Sequence, residues 1–587
     1  MEVLKGIAAS PGIAIGKAFL FKEEVEVIRR PITPEEIEAE VERLKNAIDA
    51  TRRKLQEIHE RLSSYEKSPT ADLFQAHLLM LEDPLFLDRV LTEIRDNLVN
   101  AEWAVAKVGE ELAEVLSQVE DEYLRERAAD VRDVARHLLA HLKGERRAEL
   151  SHLPEKVIIV AHDLTPSDTA LLPREKVMGF ATDMGSRISH TAILARSLEI
   201  PAVVGLGDIT SRVSTGDLII LDGNHGEVII NPDEETVAKY EAMRARFVEH
   251  ERELESIREL PAVTLDGHEV TLSANIEFPE EVAALKRYGA KGIGLYRTEY
   301  FYLRKDTLPT EEELYEDYRF VAESVAPDPV IIRTLDLGAD KFVSYLGRPE
   351  SVDSMMGLRA IRLCLKYQDI FLPQLRAILR ASVHGNVKLM FPLISGVEEL
   401  RQAKEVLEKA KAQLDEEGMP YDPEMEVGVM IEIPAAAITA DILAREVDFF
   451  SIGTNDLIQY TLAVDRKNEE ISWMFEPFHP AVLRLIKHVI DAAHRNGIWV
   501  GLCGEMAADP VFTLLLLGMG LDEFSMNPAA IPEIKQVIRS TTLKEARELV
   551  EEVMKLSTAW EIESFVWDRM MKKFPRILDW EGGSDKG

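Results

Sequence analysis

Apolar and polar positions follow three different rhythms along this chain of 587 residues. From Gly6 to Phe21 apolar residues alternate around Pro11, Gly12 and Gly16, with no helical period, and the pattern predicts strand, turn, strand. At Thr33-Pro34-Glu35-Glu36 a hydroxyl is followed three residues later by a carboxylate, with Pro at the first helical position. That capping pattern predicts a helix start. Ile37, Val41, Leu44, Ile48, Leu55, Ile58 and Leu62 then recur on one face, and the same spacing continues over Ala71 to Leu81 and Ala101 to Leu142. Residues 34–143 therefore read as an antiparallel helical module with charged outer faces. At Val157 the rhythm returns to short runs, VIIVAHDL, GDLIILDG and GEVIINP, separated by turn residues. These predict a small α/β domain that the N-terminal strands join. A capped, strongly charged helix follows Asn231-Pro232-Asp233 and runs to about Leu260.

Beyond Pro261 apolar runs alternate with helical stretches: VTLSANI from Val270, GIGLYRTE from Gly292, VIIRTLD from Val330 and VKLMFPLI from Val387. VGVMIEIP from Val427, DFFSIGTND from Asp448, WVGLCGEM from Trp499 and DEFSM from Asp522 complete the series. Strands alternating with helices in this way predict a (β/α)8 barrel. Its chemistry-bearing residues, Arg297, Arg333, Glu432, Asn455, Asp456 and Cys503, fall at or just past strand ends. Active sites of such barrels are built at that end.

Composition narrows the class. Hydrophobic residues make up 46% and charged residues 29%, which excludes a disordered chain. No apolar run approaches the roughly 18 residues of a spanning helix. The opening MEVLKGIAASPGIAIG is broken by Pro11, Gly12 and Gly16, so no export signal is read there. Two cysteines, Cys364 and Cys503, suit a reducing compartment, and the expected location is the cytoplasm. With 69 basic and 104 acidic side chains the formal charge is −35. That charge argues against non-specific binding to nucleic acid or to an anionic membrane, and an anionic substrate must meet a local group of arginines.

The run from Asp448 to Arg466 supplies such a group. A buried strand ends at Ile452, after which Gly453, Thr454, Asn455 and Asp456 break the pattern and Arg466 follows a short helix. An amide, a carboxylate and a guanidinium on one rim suit Mg²⁺, which takes one or two carboxylates plus substrate oxygens, and a phosphorylated acid gripped by Arg. The same run alone also fits a polar strand-to-helix loop.

GTNDLIQYTLAVDR and GSRISHTAILAR (Gly185 to Arg196) resemble the two signatures of phosphoenolpyruvate-utilising enzymes. With LTPSDTA, GIGLYRTE, RTLDLGADK, GLRAIR, MIEIP, CGEMA and LGMGLDEFSM in order, the chain resembles the enzyme I family of the bacterial phosphotransferase system. The likeness covers nearly the whole chain. It departs at Ser186 and Ile188, where the family has Gly and Thr, and at Asp353-Ser354, where it has Asn-Pro.

The resemblance implies an α/β swivelling phosphohistidine domain (1–22 and 144–231), an inserted all-helical docking subdomain (23–143) and a linker helix (232–260). A phosphoenolpyruvate-binding TIM barrel that also dimerises (261–575) and a tail (576–587) complete the layout. His190 is implied as phosphoryl carrier, oriented by Thr169. Arg297, Arg333, Asn455, Asp456, Arg466 and Arg359 are implied for substrate, Glu432 and Asp456 for Mg²⁺ or Mn²⁺, and Cys503 as proton donor. Phe74, His77, Tyr123, Leu124 and Arg127 match the docking helices for the phosphocarrier protein HPr. The implied reaction moves the phosphoryl group of phosphoenolpyruvate through His190 to HPr, releasing pyruvate at the start of sugar uptake. A dikinase or phosphoenolpyruvate synthase would need a further ATP-binding domain and a Gly-rich nucleotide motif, neither of which is found. A regulatory phosphorelay protein of poor turnover rests only on Ser186 and Ile188.

Overall fold

The computed structural model describes the chain apart from residues 22–26, 64–76, 79, 82, 118–121, 144–149, 151, 152, 154, 165–171, 187, 188, 190, 193, 196–199, 304–306, 339–355, 467, 469 and 576–587. For 57–63, 84, 85, 117 and 122–129 it describes the backbone alone. The chain divides into two compact units, Met1–Glu249 and His250–Gly587. The boundary falls within helix Glu234–Ile257.

In the first unit an eight-stranded sheet is formed by β1 (Glu2–Lys5), β2 (Ile7–Ser10), β3 (Ile13–Phe21), β4 (Val157–Ala161), β5 (Val177–Thr182), β6 (Ala202–Val204), β7 (Leu218–Asp222) and β8 (Glu227–Ile230). The spatial order is β1-β8-β7-β3-β4-β5-β6-β2. β3 pairs parallel with β4, Lys17 opposite Val157 and Phe21 opposite Ala161, so the N-terminal segment does share a sheet with the strands past residue 157. β5 and β6 were not expected; the run of β5 is interrupted by Gly179, and β6 is three residues between Pro201 and Gly205. Successive residues face opposite sides of a strand. Ile159, Phe180 and Val204 thus pack on one face, and Ile158, Ala181 and Val203 on the other.

Helices Ile37–Ser63, Pro84–Asp96, Ala101–Ser117 and Glu122–Lys143 lie between β3 and β4 in the chain. The regular helix begins at Ile37, later than the capping pattern suggested. Glu36 reaches back to accept from the Thr33 backbone N–H at 2.7 Å, so residues 34–36 form a turn that caps the helix. The repeat predicted there is buried: Val41, Leu44 and Leu55 pack with Leu81, Val90, Ile94, Val105 and Leu138.

The second unit is a closed barrel of eight parallel strands. They are β9 (Thr271–Ile276), β10 (Ile293–Tyr296), β11 (Val330–Arg333), β12 (Val387–Phe391), β13 (Val427–Ile431), β14 (Phe449–Ile452), β15 (Trp499–Leu502) and β16 (Glu523–Met526). β16 closes on β9 with Glu523 opposite Thr271 and Met526 opposite Ala274. Leu295, Ile331, Met390, Met430, Phe449 and Cys503 fill the interior, so the barrel is a packed core. Phe449 and Trp499 stack with centroids 4.6 Å apart near the strand starts, which leaves the opposite rim for polar groups. Among the described residues no helix is long and apolar enough to cross a membrane.

Candidate active site at the barrel rim

Each predicted barrel residue lies where its strand ends. Arg297 follows β10, Arg333 closes β11, Glu432 follows β13 and Cys503 follows β15, while Asn455 and Asp456 lie in the first turn of helix Thr454–Leu462. Two glycines allow these ends to crowd together. A Cβ on Gly453 would sit 2.8 Å from Glu432 Oε2, and one on Gly504 only 1.8 Å from Thr454 Oγ1. Larger residues would push the carboxylate or the helix start aside. Ala360, Leu393 and Ala463 hold φ of 50°, 55° and 55°, strained values for residues with a Cβ. Ala360 follows Arg359, Leu393 donates its N–H to Glu432, and Ala463 lies three residues before Arg466. Strain of this kind persists where the surroundings over-determine a site.

The guanidiniums are held by carboxylates of the same rim. Arg333 Nη2 lies 2.9 Å from Glu299 Oε1 and Nη1 3.1 Å from Asp336 Oδ2. Arg359 Nη2 lies 2.8 Å from Asp336 and 3.2 Å from Asp456, and its Nη1 reaches Tyr460 OH at 3.3 Å. Arg297 pairs with Glu277. Arg466 Nη1 lies 3.4 Å from Glu505 Oε1, which also accepts from Asn455 Nδ2 at 3.0 Å. Burial alone would lower the pKa of Arg333, but Glu299, Asp336 and Glu432 outweigh it and hold the cation firmly charged. Arg359 is raised in the same way against its burial by Asp336 and Asp456. These cations form a preset field for an anionic substrate, whose oxygens would replace or join the side-chain carboxylates.

Glu432 has the opposite problem. It is 2% exposed, and its Oε1 accepts from the Leu393 N–H at 2.7 Å. Burial first, then the nearby charges of Asp336 and Asp456, push its pKa up to about 8. At neutral pH Glu432 thus tends to hold a proton, which a divalent cation bound there would displace as it relieved the crowding of carboxylates. Among the described residues no three His, Cys, Asp or Glu side chains converge as a ready cage. Glu432 and Asp456 present hard carboxylate oxygens at this rim, which would suit an ion that keeps waters and substrate oxygens in its shell.

Cys503 is 4% exposed, with its N–H on the Ile452 carbonyl at 3.1 Å. Burial pushes its thiol up to about 11, with Ser451 and Arg333 pulling partly back. The sulfur therefore carries its proton at neutral pH. Asn275 Nδ2 donates to the Cys503 carbonyl at 3.0 Å while its Oδ1 accepts from Ser525 Oγ at 2.6 Å, which fixes the backbone that aims the thiol.

In the first unit His190, Thr169 and Phe74 lie outside the described residues. Their neighbours give the local frame: Ser189 N–H bonds Ser186 O at 3.1 Å, and buried Thr191 donates to Leu164 O at 3.5 Å. Tyr123, Leu124 and Arg127 belong to helix Glu122–Lys143. His77, expected on a docking surface, is 1% exposed and faces Asp130 at 3.4 Å and Asp133 at 3.8 Å. Its ring packs inside the helical module.

Sequence reading missed Glu277, Glu299, Asp336 and Glu505, the carboxylates that orient the arginines. Glu299 and Asp336 each stand three residues past the end of β10 or β11, and in GLYRTE and RTLD the spacing Arg-x-Glu and Arg-x-x-Asp was the available signal.

A closed parallel barrel whose rim collects arginines, buried carboxylates and a protonated thiol has the make-up of an enzyme for a small, multiply anionic acid. Family models for the phosphoenolpyruvate-utilising enzymes match in three parts: the N-terminal domain over residues 5–127, the mobile domain over 153–226 and the phosphoenolpyruvate-binding domain over 251–543. A phosphoenolpyruvate-protein phosphotransferase of Priestia megaterium is 47% identical over 564 residues, 96% of this chain and 98% of that protein. One of Haemophilus influenzae is 47% identical over 571 residues, 97% of this chain and 99% of its own length. The NMR solution structure of an enzyme I protein (nEIt) is 48% identical and covers 42% of this chain and 99% of its own, with a TM-score of 0.37. The chain belongs to the phosphoenolpyruvate-protein phosphotransferases, within the phosphoenolpyruvate-utilising enzymes.

Proposed function

We propose that the barrel rim binds phosphoenolpyruvate and that His190 takes its phosphoryl group and passes it to a histidine of HPr, the first step of sugar uptake by the phosphotransferase system. Arg297, Arg333, Arg466 and Asn455 grip the phosphate and carboxylate, with Arg359 as an outer contact, and Glu432 and Asp456 are the residues that would hold Mg²⁺ or Mn²⁺. A bound divalent ion would add positive charge beside the phosphoryl oxygens as negative charge shifts toward the leaving oxygen. A neutral imidazole nitrogen of His190, oriented by Thr169, attacks phosphorus in line. The P–N bond forms as the bond to the enol oxygen breaks, and that oxygen keeps the electron pair. Cys503 gives its proton to the methylene carbon, the carbonyl reforms, and pyruvate leaves. The thiolate regains a proton from solvent.

The observation that carries this reading is the pairing of a cationic rim (Arg297, Arg333, Arg359, Arg466) with the buried, raised-pKa carboxyl of Glu432 and the protonated Cys503. The phosphohistidine is then presented to HPr at the helical module, where Tyr123, Leu124 and Arg127, with Phe74, form the dock. The protein works in the cytoplasm as a homodimer joined through the barrel. Pyruvate release from phosphoenolpyruvate, measured with and without HPr, tests the reading. Turnover should require HPr and no nucleotide. Dependence on ATP without HPr would point to a dikinase, and absence of turnover to a regulatory phosphorelay protein.

A further inference from the structure

We infer that Gln374 is a positioning residue for this reaction, an inference that rests on the proposed use of the barrel rim. Gln374 lies in helix Gln368–Ala381, on the outside of the barrel, and is fully buried. A buried amide must spend its donors and acceptor on protein partners. Here Oε1 accepts from the Leu335 backbone N–H at 3.0 Å, and Nε2 donates to Thr298 Oγ1 at 3.0 Å and to Tyr318 OH at 3.3 Å. Thr298 in turn donates to the Arg333 carbonyl at 3.0 Å.

The identity of these partners separates positioning from ordinary core satisfaction. Thr298 immediately follows Arg297 and precedes Glu299, the carboxylate that holds Arg333. Leu335 is two residues past Arg333 and one before Asp336, which holds both Arg333 and Arg359. One planar amide therefore pins the loops after β10 and β11 to each other and to the helix beneath them. Glu299 closes the same junction from the rim side, since its Oε1 also accepts from the Asp336 N–H at 3.1 Å. Loss of the amide would let the two loops drift apart and separate Arg297 from Arg333. It would leave the strands and the rest of the unit unchanged.

Two variants test this, Gln374→Met, which keeps length and volume but cannot donate to Thr298 or fill the role of its oxygen, and Thr298→Val, which breaks the link from the other side. The full-length protein is assayed for phosphoenolpyruvate-dependent phosphorylation and, separately, for phosphate exchange with phosphorylated HPr, which does not use the barrel. In Gln374→Met, kcat/KM for phosphoenolpyruvate should fall on the order of 10- to 100-fold with a raised KM, since small misplacements of gripping groups cost that much. Exchange with phosphorylated HPr should stay within about twofold of wild type, and the double variant should lose less than the product of the two single losses, because the two variants share the Gln374–Thr298 bond. Wild-type kcat/KM in Gln374→Met, equal loss in both half-reactions, or full additivity with Thr298→Val would overturn the inference. A wild-type protein that is not phosphorylated by phosphoenolpyruvate would instead overturn the proposed function.

Discussion

The Cys503 thiol lies 3.8 Å from the carbonyl oxygen of Ile452, the last residue of the neighbouring strand β14. The carbonyl is an acceptor and cannot draw the proton away, and burial pushes the thiol up to about 11, so it holds its proton at neutral pH. A proton source is thus stored at the rim in a form that neutral solvent does not discharge.

Cys503→Ala should therefore bind phosphoenolpyruvate nearly as wild type does but release pyruvate about 100-fold or more slowly, since loss of a placed acid costs that order. Alkylation of Cys503 in the wild type should still be accelerating at pH 10, where an ordinary cysteine has levelled off near its pKa of about 8.5. Wild-type pyruvate release by the alanine variant would return Cys503 to a packing role.

Chelation should stop phosphorylation by phosphoenolpyruvate, and Mg²⁺ or Mn²⁺ should restore it, because Glu432 and Asp456 offer hard oxygens and no thiolate. Asp456→Ala and Glu432→Ala should both lose activity that excess metal does not recover. Undiminished activity of either variant would contradict the assigned ion site.

Asp317 makes a separate pH prediction. Behind β10 it accepts from Tyr300 OH at 2.9 Å and from Tyr296 OH, and burial pushes its carboxyl up to about 7 despite those bonds. An unfolded Asp titrates near about 4. Between these values the folded protein keeps a proton that the unfolded chain has released, so this group's contribution weakens as pH rises from about 4 to about 7 and is flat above. Relative to Asp317→Asn, wild-type unfolding free energy should decline across that window. A difference independent of pH would show that Asp317 is ionised throughout.

Much of the barrel was legible in the sequence, and the reason is physical. Parallel strands covered on both faces read as continuous apolar runs, and most runs here end at or just before Gly, Arg, Glu or Asn, so both strand and rim residue were marked. In the first sheet β6 spans only three residues and β5 is interrupted by Gly179, so neither shows a clear alternation, and they appear only once the sheet is assembled. The carboxylates Glu277, Glu299, Asp336 and Glu505 were hidden among 104 acidic residues. Which acid meets which arginine is decided by neighbouring strands distant in sequence, and no local period records it. Gln374 was silent for the same reason: one amide on an amphipathic helix looks like any polar position until its partners at Thr298 and Leu335 are seen.

The two compact units predict separable half-reactions. Residues 1 to about 260, expressed alone, should exchange phosphate with phosphorylated HPr and fail to react with phosphoenolpyruvate. Residues from about 261 should bind phosphoenolpyruvate with Mg²⁺ and carry no phosphate. Phosphorylation of the N-terminal fragment by phosphoenolpyruvate alone would contradict transfer between units.

The most direct measurement is phosphopeptide mapping of the full chain after incubation with labelled phosphoenolpyruvate and Mg²⁺. The account predicts acid-labile label on the single peptide that contains His190, and none in His190→Ala although that variant still binds phosphoenolpyruvate. Label on any other residue, or its persistence in His190→Ala, would contradict it.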